Sequence, residues 1–130
     1  MATLKTNTLT GTSTAGSIAV TAEGNSTTTN LQQGLTKAWN KFQGSGTIAN
    51  DDSFNVSGLT DNGTGDYTIA TNNDMGNDDY STNCNSAEQV TSIYNASNTL
   101  VGSVRIYIQQ LSGSNADAQE VSVQICGDLA

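Results

Sequence analysis

The sequence predicts an all-β protein, an antiparallel β-sandwich of jelly-roll-like type with an extended N-terminal arm. Three observations carry this expectation. Several short segments alternate apolar and polar residues with a period of two, most clearly residues 102–111 and 120–126. Turn-forming residues separate them: Asn and Gly number 15 and 13, and the chain has no Pro, so Asn and Gly make the turns. Thr is the commonest residue at 19, and its branched side chain suits strands. Hydrophobic residues are 35% and aromatics 5%, which leaves a modest core and polar outer faces. A chain of 130 residues is expected to hold one such domain, residues 35–130, with residues 1–34 as a docking or oligomerisation arm.

In chain order, residues 3–9 alternate weakly and residues 11–16 are a small-residue turn region. Residues 17–22 place Ile18 and Val20 on one face of a short strand. Residues 23–30 are rich in Ser and Thr and read as a loop. This first stretch has too little apolar surface to order alone, so it reads as an arm that docks elsewhere. Residues 29–39 form a helix-like patch, with Asn30 as a cap and Leu31 and Leu35 four apart; Gly34 limits it to one or two turns. Strands follow. Residues 38–42 lead into a glycine turn at 44–46. Residues 53–57 alternate, with Phe54 and Val56 expected on one face. Residues 66–70 pair back across the Asn62-Gly63 turn, whose length calls for a bulge or wider loop. Residues 72–79 are a polar loop, and 80–84 and 89–94 are further strands. In 102–111, Val104, Ile106 and Ile108 oppose Arg105, Tyr107 and Gln109. In 120–126, Val121, Val123 and Ile125 point inward. The expected buried set is Trp39, Phe54, Val56, Ile69, Val104, Ile106, Val121, Val123 and Ile125. Trp39, Phe54, Val56 and Tyr67 are the expected anchors of the core or of a subunit interface.

Charge and residue types exclude several functions. The net charge is −8, with only Lys5, Lys37, Lys41 and Arg105 basic, so a nucleic-acid surface is not expected. No apolar run reaches membrane-spanning length, and no membrane insertion is expected. The first residues lead into Thr and Asn rather than an apolar signal region, so no secretory export is predicted. Cys84 and Cys126 then read as free thiols from a reducing cytoplasm, with a bridge left open. The chain has no His, which removes Ser-His-Asp and Cys-His catalysis. The lysines sit in polar, exposed-looking contexts unsuited to a tuned nucleophile. Asp51-Asp52 and Asp78-Asp79 are adjacent residues, which on a strand point to opposite faces, so they read as solvated charge rather than a dyad. EF-hand loops started at Asp61 or Asp74 lack the required Gly and Glu, which leaves a non-EF site from Asp74, Asp78 and Asp79 as the minor reading. Two cysteines without His make no zinc site. No cofactor and no enzymatic activity are expected. Tyr67, Tyr80, Tyr94 and Tyr107 are the tyrosines able to stack on a sugar. Tyr107, Tyr94 and Tyr80 are the candidate surface contacts, with Tyr107 foremost, because it lies opposite the apolar face of its strand. The plainer alternative places them at a sheet surface or subunit interface.

One block carries a family resemblance. Thr3-Leu4-Lys5, Lys37-Ala38-Trp39, Phe42, Gly44, Gly46-Thr47, Ser53-Phe54-Asn55-Val56-Ser57 and the run from Leu59 to Thr68, with its Asp61-Asn62-Gly63-Thr64-Gly65-Asp66 turn, resemble a pattern of tail-fibre and other virion-appendage proteins of tailed phages, marine ones especially. The resemblance is specific over residues 36–71, suggestive at the amino terminus and loose from residue 72 onward. A basic residue usual in that family near Asn50-Asp51 is absent. The resemblance implies a virion structural protein, assembled in the host cytoplasm. It also implies a homotrimer, an arm engaging other virion proteins, and a host-surface glycan as candidate partner. It leaves two roles open: a fibre or fibre tip that attaches to the host, and a capsid or tail decoration or connector that recognises nothing outside. A glycan depolymerase stands third, since it needs paired acids in a groove.

Overall fold

The computed structural model describes residues 3–87, 90–93 and 96–130. Contacts within the chain divide it after Leu35 into two compact units. In the first, β1 (Ala19–Thr21) pairs antiparallel with β2 (Thr28–Asn30), joined by a reversal with Asn25 at a φ of 54°. Residues 28–30, expected as loop, are therefore a strand: their threonines find a partner in residues 19–21. The helix-like patch is a single turn. Asn30 Oδ1 accepts from the Gln32 amide at 2.8 Å, as a cap does, and the amides of Gly34 and Leu35 reach back to Leu31 and Gln32. Beyond it the chain is extended from Thr36 rather than helical.

The second unit is the sandwich. Its strands are β3 (Thr36–Gln43), β4 (Ala49–Phe54), β5 (Val56–Gly63), β6 (Asp66–Thr71), β7 (Ser81–Ser86), β8 (Val90–Ile93), β9 (Thr99–Leu100), β10 (Ser103–Gln109) and β11 (Val121–Cys126). One sheet has the order β4-β3-β11-β7. The other has the order β5-β6-β10-β8, with β9 also on β10, and every pairing is antiparallel. Among the described residues there is no α-helix, and no helix is long and apolar enough to cross a membrane.

The core lies between the sheets, and the period-two pattern puts it there. Ala38, Phe42, Val121, Val123 and Ile125 come from the first sheet and Tyr67, Ile69, Val104, Ile106 and Ile108 from the second; all are buried. Phe42 and Tyr67 meet edge to face with ring centroids 5.2 Å apart. The Tyr67 hydroxyl donates to the Gly44 carbonyl and to Asp117 Oδ1 at 2.9 Å, so its polar end is satisfied inside the core. Burial and then the Asp117 carboxylate push the Tyr67 phenol well above its ordinary range. Asp117 Oδ1 also accepts from the Gly65 amide at 2.7 Å, which ties the β5–β6 turn to the same residue. The turn itself reverses at Thr64-Gly65, with a bulge between Asp61 and Gly63. Gly65 has a φ of 62°, and a Cβ there would stand 2.4 Å from the Ile108 carbonyl, so only glycine fits.

Two expected core members are not in the core. Trp39 is 36% exposed and Phe54 54% exposed. On β3 the inward residues are Ala38, Asn40 and Phe42, and alternation then sends Trp39 outward. Phe54 is the register partner of Trp39 and shares its face. The expected single strand over 53–57 is broken at Asn55, whose φ of 56° turns the chain from β4 in one sheet to β5 in the other. Asn55 Nδ2 donates to the carbonyls of Lys37 and Asn73, and its Oδ1 accepts from the Asn73 amide. That kink places Phe54 outside while Val56, half-buried, packs against the core. Lys37, expected exposed, is buried at the edge of this corner.

The polar 72–79 loop hides one core residue. Met75 is buried and bridges to Leu129, and Asp74 O accepts from the Ala130 amide, so the loop and the chain end hold each other. Cys84 and Cys126 form no disulfide. Cys84 pairs with Val123 and Cys126 with Ser81 on the same two strands, about 10 Å apart along the ladder, beyond bridging reach. Burial pushes the Cys84 thiol up to about 12.

Candidate functional site

The outer face of the β4-β3-β11-β7 sheet combines two rings with polar neighbours. Register defines its rows. Phe54 pairs with Trp39, Trp39 with Gln124, and Gln124 with Asn83, so these four side chains form one line across all four strands. The next row holds Asp52, Lys41, Ser122 and Asn85 by the same pairings. Between the rows lies a groove of about 260 Å³ lined by Trp39, Lys41, Asn83, Asn85, Ser122 and Gln124 among others. Gln124 Nε2 donates to Thr36 Oγ1 at 2.6 Å, which fixes the amide beside the indole. Lys41 Nζ lies 3.2 Å from Glu120 Oε1, an exposed pair at the rim.

Chemically this face offers flat apolar rings beside groups that both donate and accept hydrogen bonds. Exposed apolar side chains are ordinary when single. Here the only Trp and one of two Phe residues stand together outside a core short of apolar mass. Among the described residues no group of three or more His, Cys, Asp and Glu is arranged to hold a metal ion.

Of the tyrosines expected as surface contacts, Tyr80 and Tyr107 lie among the described residues. Tyr80 is half-buried against the core, with its hydroxyl 2.9 Å from both the Leu100 and Ser103 carbonyls. Burial pushes its phenol up to about 12. Tyr107 is half-buried on the outer face of the other sheet, where the Arg105 guanidinium covers its ring at 5.5 Å from the centroid. Its register partner on β6 is Asp66. Tyr94 lies outside the described residues. Tyr67 is wholly internal. The described tyrosines, Tyr67, Tyr80 and Tyr107, therefore do not share one surface. The face the structure does form rests on Trp39 and Phe54, together with Gln124, Asn83 and Asn85, which sequence reading missed. Parity held the clue: Trp39 and Phe42 are three apart, so only one of them can face a given side of a strand.

Around Tyr107, the other outer face satisfies itself. Arg105 donates from Nε and Nη2 to the two Asp66 carboxylate oxygens at 2.7 and 2.5 Å. Asn62 Nδ2 adds bonds to Thr68 Oγ1 and Asp66 Oδ1. The Arg105 hydrogen bonds hold the Asp66 carboxyl below the usual carboxylate range, against the opposing effect of burial.

No family model, curated protein or solved structure matches this chain.

Proposed function

We propose that this chain is a structural protein of a tailed-phage virion, a fibre-like appendage that attaches to the host surface through the outer face of β4-β3-β11-β7. The observation that carries the attachment role is the Trp39–Phe54 pair, left outside a core that lacks apolar mass, in line with Gln124 and Asn83. The virion assignment draws on the resemblance of residues 36–71, the stretch that forms β3 to β6. Assembly as a homotrimer belongs to the same proposal, because a small core gains from burial between subunits. The test is competition. Purified protein added to host cells should reduce phage adsorption, and the Trp39→Ala protein should not. Equal competition by both proteins would remove this face from attachment.

A decoration or connector role has its own support in the first unit, where Leu4, Leu9, Val20 and Leu35 are exposed and a cavity of about 440 Å³ opens beside Leu9, Ile18 and Leu31. Such surface suits insertion into neighbouring virion proteins. Deleting residues 2–30 should leave the sandwich folded and abolish incorporation into particles. Full incorporation of the deleted protein would reject the arm.

A further inference from the structure

We infer that the outer face of the four-stranded sheet binds a neutral polysaccharide, laid across the strands along the line Phe54, Trp39, Gln124, Asn83; the inference rests on the attachment reading above. The line crosses three interstrand steps of about 4.8 Å, so it presents roughly 14 Å of continuous contact. That suits an extended chain of sugar rings rather than a single small molecule.

Each position on the line matches a feature of such a chain. A pyranose has an apolar face of C–H groups, which packs on an exposed ring as an alkyl surface does, and Trp39 and Phe54 supply two rings on adjacent strands. Its hydroxyls donate and accept together. Carboxamides do the same, whereas a carboxylate only accepts and an ammonium only donates. Beside the rings four polar positions are amides or a hydroxyl, Gln124, Asn83, Asn85 and Ser122, and two are charged and face each other, Lys41 and Asp52.

Charge selects the neutral class. The chain carries −8 overall, and the cation on this face, Lys41, already pairs with Glu120 and sits across from Asp52. A uronate or sulfated polymer would meet repulsion with no unpaired cation on the face to offset it. A second copy of the chain is the competing occupant. Interface centres are apolar, while here amides, hydroxyls and the Lys41–Asp52 pair surround two rings, a composition that fits a hydrated ligand better.

Trp39 is the only tryptophan, so the emission of the full-length protein reports on this site alone. The experiment titrates the protein with neutral polymers (dextran, laminarin, galactomannan) and with polygalacturonate, reading acrylamide quenching of Trp39. The expected result is protection by a neutral polymer and none by polygalacturonate. Affinity electrophoresis should then show binding about tenfold weaker for Phe54→Ala and for Gln124→Ala, with the native circular dichroism spectrum retained. Protection by polygalacturonate alone would overturn the charge argument. If the protein saturably binds host cells yet no neutral polymer protects Trp39, the ligand class is wrong and attachment stands. If it binds neither cells nor polymers, the attachment reading falls with it. A Trp39→Ala protein that sediments as a monomer while the parent is an oligomer would assign the face to a second copy and overturn the inference.

Discussion

Phe42 and Trp39 lie three residues apart on β3, and the pleat sends them to opposite sides of one sheet. Phe42 meets Tyr67 between the sheets, where the two rings pack edge to face and the phenol is bonded to Gly44 and Asp117. Trp39 lies across the ladder from Phe54 on the outside, where their neighbours are amides, the Lys41–Asp52 pair and solvent. The inner pair anchors a small core. The outer pair leaves apolar surface in water. That placement gains less stability than full burial would, and it is the observation on which the proposed attachment role rests.

The sharpest way to break this contrast is truncation. Phe42→Ala should destabilise the sandwich by about 3–5 kcal/mol, since it removes a wholly buried ring and leaves a cavity. Trp39→Ala and Phe54→Ala should each cost less than Phe42→Ala, and Phe54→Ala least, because their rings are only partly covered. Urea unfolding followed by circular dichroism serves all three, because the Trp39 variant loses its fluorescence. A cost above 3 kcal/mol at Trp39 would make the outer pair structural.

The inner pair can be probed more finely. Tyr67→Phe keeps the ring and removes the hydroxyl, leaving the Gly44 carbonyl without this buried donor, and should cost about 1–2 kcal/mol in the same assay. No loss would mean that the polar end contributes nothing to holding the core.

Asn40, between Trp39 and Phe42 on β3, is buried, with neither amide atom bonded to another described residue. An unpaired buried amide is costly, so Asn40→Val should raise stability by about 1 kcal/mol. A decrease of that size would show that the amide is bonded in solution.

The smallest expected effect belongs to the other sheet, whose outer face satisfies its own polar groups. The Asp66 carboxyl is held low by the Arg105 hydrogen bonds. A depressed folded-state value stabilises the fold above the unfolded carboxylate value of about 3.9, and that stabilisation is lost as pH falls through the folded-state value. Arg105→Gln should therefore lower the urea midpoint at pH 7 and flatten its fall between pH 5 and pH 2. Because the guanidinium is partly in solvent, the change should be slight, and a profile parallel to the parent's would remove the pair from the pH response.

Much of the sandwich is legible in the residues. Val104, Ile106 and Ile108, and Val121, Val123 and Ile125, face inward as their alternation requires. The Asp61 to Asp66 stretch makes a bulged hairpin, as its glycines require. The pattern fails where local and long-range terms compete. Alternation read straight through residues 53–57, but an Asn tolerates positive φ and Asn55 takes it at the corner between sheets. Met75 looked like loop, and its burial depends on Leu129 and Ala130, more than fifty residues away. The candidate site was illegible for a related reason. Trp39, Gln124 and Asn83 are far apart in sequence, and only strand order puts them in one row.

By itself the sequence determined the strand content, the antiparallel class and which residues of β10 and β11 point inward, because these follow from period-two alternation and turn chemistry within a few residues. Tertiary structure alone decided that Phe42 rather than Trp39 faces the second sheet, that Phe54 turns outward at the Asn55 corner, and that amides of β7 and β11 flank the indole. Those choices depend on which surface a second sheet covers, and that contact forms between residues whose separation along the chain leaves no local trace.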